Sequence, residues 1–140
     1  MVDQNCAYCV EGDLVAKFGI KICELETSKV YLFKEQSHPG RCIVAHKKHV
    51  GDMNELTAEE RAAYFEDVAR VARAIMKAFN PDKVNYGAYG DTGHHLHFHL
   101  CPKYKDEFEW GGVFLMNPDK KYLTDAEYAE MIEKIKANIK

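Results

Sequence analysis

The chain has 140 residues, enough for one domain with a proper core, expected to span 1–140 because no repeat or long linker divides it. Apolar residues make up 46% and charged residues 29%, and 19 basic against 22 acidic side chains give a net charge of −3. This balance excludes a basic nucleic-acid-binding face but leaves room for a small anionic ligand held by local donors.

The N-terminus, MVDQNCAYCV, shows no basic region followed by an apolar stretch, and no run approaches the ~18 apolar residues of a membrane span. Five cysteines cannot form a complete disulfide framework. The expected location is therefore the cytoplasm, with reduced thiols or metal ligands and no membrane association. Cys6-x-x-Cys9 is open to three readings: a redox pair, chance core residues, or half of a zinc site that needs two more ligands. A redox pair should follow a strand and open a helix, which a place six residues from the start does not favour.

IKICEL (20–25) and KVYLF (29–33) are β-rich runs split by the polar ETS, which predicts a hairpin. RCIVAH (41–46) is a third strand entered through the turn HPG. Thr57 and Glu60 form a capping-box pattern, and Phe65, Val68, Ala72, Ile75 and Phe79 follow at spacings of 3, 4, 3 and 4 as one apolar stripe. Asn80-Pro81 ends this helix. KVNYGAY (83–89) predicts a fourth strand and HHLHFHL (94–100) a fifth, stopped by Pro102. An irregular aromatic segment follows. Thr124 and Glu127 then open a final helix whose buried face is Tyr128, Met131, Ile132, Ile135 and Ile139. Strands grouped around two main helices, without βαβ alternation, predict an α+β fold on a mainly antiparallel five-stranded sheet.

Four of the seven histidines lie within 94–100. Strand alternation puts His95, His97 and His99 on one face and Leu96, Phe98 and Leu100 on the other. Three uses fit: a histidine-rich solvent face, a catalytic metal site, or a nucleophilic imidazole whose neighbours bind and protonate a phosphate. Imidazole suits the last, with an unperturbed pKa of about 6.5. Gly87, Gly90 and Gly93, at intervals of three and with Thr92 among them, make a loop whose backbone N–H groups can approach an anion. Cys23, Cys42 and Cys101 fall in strand-like runs and read as small core residues.

HHLHFHLCPK resembles the signature of the histidine-triad (HIT) superfamily, matched at His95, His97, His99 and the apolar positions 96, 98, 100 and 101. PGRCIVAHKKH (39–49) and NYG (85–87) are similar to two further family blocks. The resemblance implies a HIT-like fold, a homodimer, and hydrolysis or transfer at a nucleotide's α-phosphate. Its substrates would be dinucleoside polyphosphates, nucleoside phosphoramidates or similar conjugates. By the same resemblance His97 attacks phosphorus and His99 sits by the phosphate and leaving group. Asn85 and Thr92 bind phosphate, and Tyr8 and Phe33 flank the base, although core packing explains that last pair equally well. Zinc would be structural, held by Cys6, Cys9, His49 and His95. Two departures stand out: Asp91 replaces a common Gln, and the ribose-binding Asp has Glu35 as its nearest counterpart. A zinc-dependent hydrolase and a nucleotide-binding module without turnover remain as rival readings.

Overall fold

The computed structural model describes residues 3–140. Five strands, β1 (Gly19–Glu24), β2 (Ser28–Phe33), β3 (Cys42–His46), β4 (Lys83–Gly87) and β5 (His97–Lys103), form one sheet in the order β1-β2-β3-β5-β4. Every neighbouring pair is antiparallel. Four helices accompany it: single turns α1 (Ala7–Val10) and α2 (Asp13–Ala16), and the main helices α3 (Ala58–Phe79) and α4 (Asp125–Asn138). Both main helices start with the predicted capping boxes, in which the Thr57 and Thr124 hydroxyls accept from the Glu60 and Glu127 amides. Asn80 closes α3 in the left-handed conformation, at φ 49°. No helix among the described residues is long and apolar enough to cross a membrane.

The two faces of the sheet are covered differently. On one, Val30, Leu32, Val44, Leu96 and Leu100 pack with Tyr64, Val68, Val71 and Ile75 of α3 and with Tyr128 and Ile135 of α4. On the other, a smaller cluster of Tyr31, Phe33, Ile43 and Ala45 meets Tyr8 and Val15 from the N-terminal turns. The sheet thus keeps half of one face open beside β5, and the histidines are there.

Several elements depart from the sequence expectation. Phe65 is 37% exposed at the margin of the core, and Tyr64, one position round the helix, is buried with its hydroxyl donating to the Val44 carbonyl (2.7 Å). β4 stops at Gly87 rather than 89, and regular β5 pairing begins at His97. Pro102 does not stop β5. Beyond Leu100 the strand pairs with β4 alone, an edge position where a missing N–H is tolerated.

Residues 104–123 form a strap without regular structure that is pinned by buried polar groups. Lys103 Nζ donates to the Glu109 and Gly112 carbonyls (both 2.7 Å), and His38 Nε2 donates to Glu109 Oε1 (2.7 Å). Glu35 accepts from the amides of Lys120 (2.8 Å) and Lys121 (2.9 Å). The strap therefore has a defined path, and it carries Phe114, Met116 and Asn117 to the edge of the open half-face.

Leu100 is fully buried between the sheet and α3. Leu100→Ala is expected to lower the stability by about 2–5 kcal/mol, read as a reduced urea midpoint with an unchanged slope.

Candidate active site

His95 precedes β5 but keeps its alternation, because Leu96 N–H donates to the Val50 carbonyl (2.7 Å) and the Leu96 carbonyl accepts from His46 N–H (3.0 Å). His95, His97 and His99 are all buried, at 2%, 7% and 3% exposure, so the solvent-face reading is overturned. Their protons can be placed by chemistry, since a carbonyl only accepts. His95 Nε2 lies 2.6 Å from the His46 carbonyl and must donate, which leaves Nδ1 with a lone pair. His97 Nδ1 lies 2.6 Å from the His95 carbonyl and donates likewise, so its lone pair is on Nε2. Burial pushes His97 below its ordinary pKa, against the opposing pull of that hydrogen bond, and the ring is neutral at pH 7. His99 Nδ1 faces Arg41 Nη2 at 3.1 Å, and burial, then Arg41, then His97 push it down to about 3.

The metal-ligating residue types named from the sequence converge. The ligand atoms of Cys6, Cys9, His49 and His95 all lie within 4.8 Å of one another. His95 Nδ1 is 3.3 Å from Cys6 Sγ, 3.6 Å from Cys9 Sγ and 3.0 Å from His49 Nδ1, and Cys9 Sγ is 3.2 Å from His49 Nδ1. Cys6 stands at the start of α1 and Cys9 inside it, so one helical turn presents both thiols. The Val50–Leu96 backbone bond brings the two histidines alongside. The free lone pair of His95 points at the cluster because its other nitrogen is bonded to a carbonyl, an outer partner of the kind that orients metal-binding imidazoles. An all-histidine metal site is not formed: His97 and His99 belong to no metal-sized cluster among the described residues.

A cavity of about 900 Å³ opens over His97 and His99. Such a volume suits a nucleotide-sized ligand. Tyr8 lies against His97 with ring centroids 5.0 Å apart, and Phe33 meets His99 edge-on at 5.5 Å. Asp91 and Thr92 line the cavity along with Gly90 and Gly93. Asn85 shares the histidine face through its pairing with Cys101 but lies outside the cavity lining. Glu35 is a correction. It is 2% exposed, absent from the cavity wall, and accepts from the Ser37 amide and hydroxyl as well as the strap amides. It holds the strap and is buried away from the cavity, where it does not meet a ribose.

Sequence reasoning missed the strap residues Phe114, Met116 and Asn117, and Phe18, all in the cavity wall. It also passed over Arg41. An arginine opening an otherwise apolar strand was the available signal, but its contact with His99 depends on strand pairing.

The HIT domain matches residues 19–106. The chain is 28% identical over 116 residues to adenosine 5'-monophosphoramidase hnt1 of Schizosaccharomyces pombe, covering 76% of this chain and 80% of that protein. It is 29% identical over 98 residues to a bis(5'-adenosyl)-triphosphatase of Dictyostelium discoideum, covering 66% and 65% respectively. A histidine triad protein from Sinorhizobium meliloti superposes with a TM-score of 0.83 at 22% identity, over 91% of this chain and 94% of that one. Fold and matched segment together define a histidine-triad architecture. The chain belongs to the HIT family.

Burial works against the Glu35 charge, but the Ser37 hydroxyl and amide, then the Lys121 and Lys120 amides, outweigh it and hold the carboxyl below its ordinary range. A depressed carboxyl stabilises the fold above its unfolded pKa of about 4.3 and loses that contribution as pH falls through the folded value. Glu35→Gln should therefore cost about 1–3 kcal/mol at pH 7 and progressively less below about pH 4, measured by urea unfolding across pH. AMP affinity should be unchanged. Weakened AMP binding at unaltered stability would return Glu35 to the binding site.

Proposed function

We propose that the protein is a nucleotide hydrolase or nucleotidyltransferase acting at the α-phosphate of a nucleotide conjugate, of the dinucleoside polyphosphate or nucleoside phosphoramidate type. The observation that carries this reading is the His97 ring: buried, neutral, its Nδ1–H on the His95 carbonyl and its Nε2 without a protein partner among the described residues, in the wall of the cavity. That is the state a nitrogen nucleophile needs.

In the first step the Nε2 lone pair attacks phosphorus. The bond to the leaving group breaks and its electron pair departs with that group. The nucleotidyl-bearing ring then carries positive charge, which the 2.6 Å hydrogen bond to the His95 carbonyl stabilises. Water or another acceptor next attacks phosphorus and gives up its proton to solvent, and the N–P bond breaks with its electron pair returning to Nε2, which restores the neutral imidazole. The Gly90–Gly93 backbone and the Thr92 hydroxyl, in the cavity wall, are assigned to hold phosphoryl oxygens, and Asn85, outside that wall on β4, is assigned to the same task by the family resemblance alone. Tyr8 and Phe33 supply flat apolar walls for a base. Asp91 is assigned to orient a histidine or carry a proton. The names of the phosphoramidase and triphosphatase relatives support nucleotide conjugates as the substrate class.

We assign zinc to the Cys6, Cys9, His49 and His95 cluster, as a structural ion. Two thiolates and two imidazoles are a typical zinc donor set, and tetrahedral zinc with bonds of ~2.0 Å to N and ~2.3 Å to S separates its ligand atoms by roughly 3.3–3.8 Å. Four of the six separations, at 3.0–3.6 Å, are close to these values, and all six lie within 4.8 Å. The four protein ligands would close the site and leave His97 and His99 to the chemistry. Five free thiols support a reducing compartment such as the cytoplasm. The exposed Tyr86 on edge strand β4 supports a homodimer built on that edge.

His97→Ala is expected to reduce turnover more than a thousandfold while retaining AMP binding, because removal of a covalent nucleophile stops the sequence at its first bond. Acid-labile label should accumulate on the wild type after brief incubation with an α-labelled adenosine phosphoramidate, and be absent from the variant. Binding without any turnover would favour the regulatory-module reading instead.

Protein purified without chelator should contain about one zinc per chain by elemental analysis. Replacing Cys6 and Cys9 by Ser should release it and lower the melting temperature more than it alters kcat. Metal-free wild type prepared under reducing conditions would reject the assignment.

A further inference from the structure

Arg41 lies one alternation before Ile43, whose partner on β5 is His99, so its side chain enters the histidine face from the start of β3. It is fully buried. Nη1 donates to the Leu115 carbonyl (3.1 Å), Nη2 donates to the Met116 carbonyl (2.9 Å), and Nη2 faces His99 Nδ1 at 3.1 Å. The guanidinium is stacked between Phe33 (4.2 Å to the ring centre) and Phe114 (4.8 Å). Among the described residues no carboxylate forms an ion pair with it, and its Nε has no partner. Strap, β2 and β3 thus converge on one cation aimed at a triad histidine.

A guanidinium has only donors and keeps its proton in proteins. His99 Nδ1 must therefore accept, and the single ring proton must be on Nε2. An imidazolium would set N–H against N–H and add a second buried cation at contact distance, with no counter-anion beside it. We infer that Arg41 is a positioning residue that locks His99 as its neutral Nε2–H tautomer, so that His99 meets the phosphoryl or leaving group as a hydrogen-bond donor and not as a proton-transferring imidazolium.

The charged and titratable groups that face His99 are Arg41 and His97, and those acting on Arg41 are Cys101, Glu35, Glu109 and Tyr89. Asp3 and Asp91 line the same cavity. His99 Nε2 has no protein partner among the described residues, and the residue lines the cavity, so the proton is free to meet a ligand. In the transfer step the N–P bond to His97 forms while the leaving-group bond breaks. The electron pair leaves with the leaving group: a phosphate departs as an anion that Nε2–H stabilises while keeping its proton, and an amine departs with a proton taken from solvent. This consequence rests on the nucleotidyl-transfer reading. The tautomer is a property of the resting protein and does not.

Long-range ¹H–¹⁵N correlation spectra of the zinc-loaded, ¹⁵N-histidine-labelled protein test the inference, with the His99 ring assigned from its loss in His99→Gln. The expected wild-type result is a neutral Nε2–H pattern that does not titrate between pH 5 and 8, in keeping with a pKa near 3. An Nδ1–H pattern, or a midpoint inside that range, overturns the proposal. Arg41→Met should release the tautomer bias and raise the His99 midpoint toward its ordinary value of about 6.5. Arg41→Lys, again a donor-only cation, should preserve the wild-type pattern and serves as the second variant if the methionine protein does not fold. A lysine variant with an Nδ1–H pattern, or a folded methionine variant with the wild-type pattern, would also overturn it. Failure of the nucleotidyl-transfer reading would show as absent label on His97 with the His99 spectrum unchanged, so the two failures are separable.

Discussion

Burial of Leu96 and Leu100 beneath α3 sets the rotation of β5 about its own axis. Each buried leucine contributes about 1.5–3 kcal/mol, and a one-residue slip would turn both to the opposite face. With the apolar set held under α3, His95, His97 and His99 have one orientation left. The backbone then settles the protons. The His46 carbonyl takes the His95 Nε2 proton and the His95 carbonyl takes the His97 Nδ1 proton, so adjacent triad members present opposite nitrogens. One imidazole is turned toward the Cys6, Cys9 and His49 cluster and the next toward a cavity, although the two are chemically identical.

The chain ends complete what the sheet begins. The α1 turn reaches the cluster through Cys6 and Cys9 and in the same turn lays Tyr8 against His97. The two thiols and this part of the cavity wall therefore share one turn of backbone. On the other side the strap is held at Glu35, Lys103 and His38, each buried and each satisfied by a strap backbone or side-chain group. Irregular backbone costs conformational entropy without a ladder of internal bonds, and these polar pins offset that cost.

The electrostatics of the site centre on one buried cation. Its histidines are neutral, and the buried cation beside them, Arg41, has carbonyls, aromatic faces and an imidazole for company but no carboxylate. A buried charge without a counterion is unfavourable.

Much of this was legible in the residues. Alternation in HLHFHL assigned the two faces of β5, the capping boxes located both main helices, and donor type marked Cys6 and Cys9 as half of a zinc site, whose histidine half came from the family resemblance. These signals are local: they depend on period, neighbouring side chains, or donor type. Phe65, Pro102 and Glu35 were misjudged because each answer lay in a distant partner: the angular width of the α3 core face, the point where β3 stops flanking β5, and the strap amides that occupy a carboxylate. Arg41 is the sharpest case. Fifty-eight residues separate it from His99, and its place at the head of an apolar strand does not name that partner. By itself the sequence determined which residues share a face. The tertiary structure alone decided which nitrogen each histidine offers, because that depends on what stands across from the ring, and strand pairing and the strap's path bring those partners there.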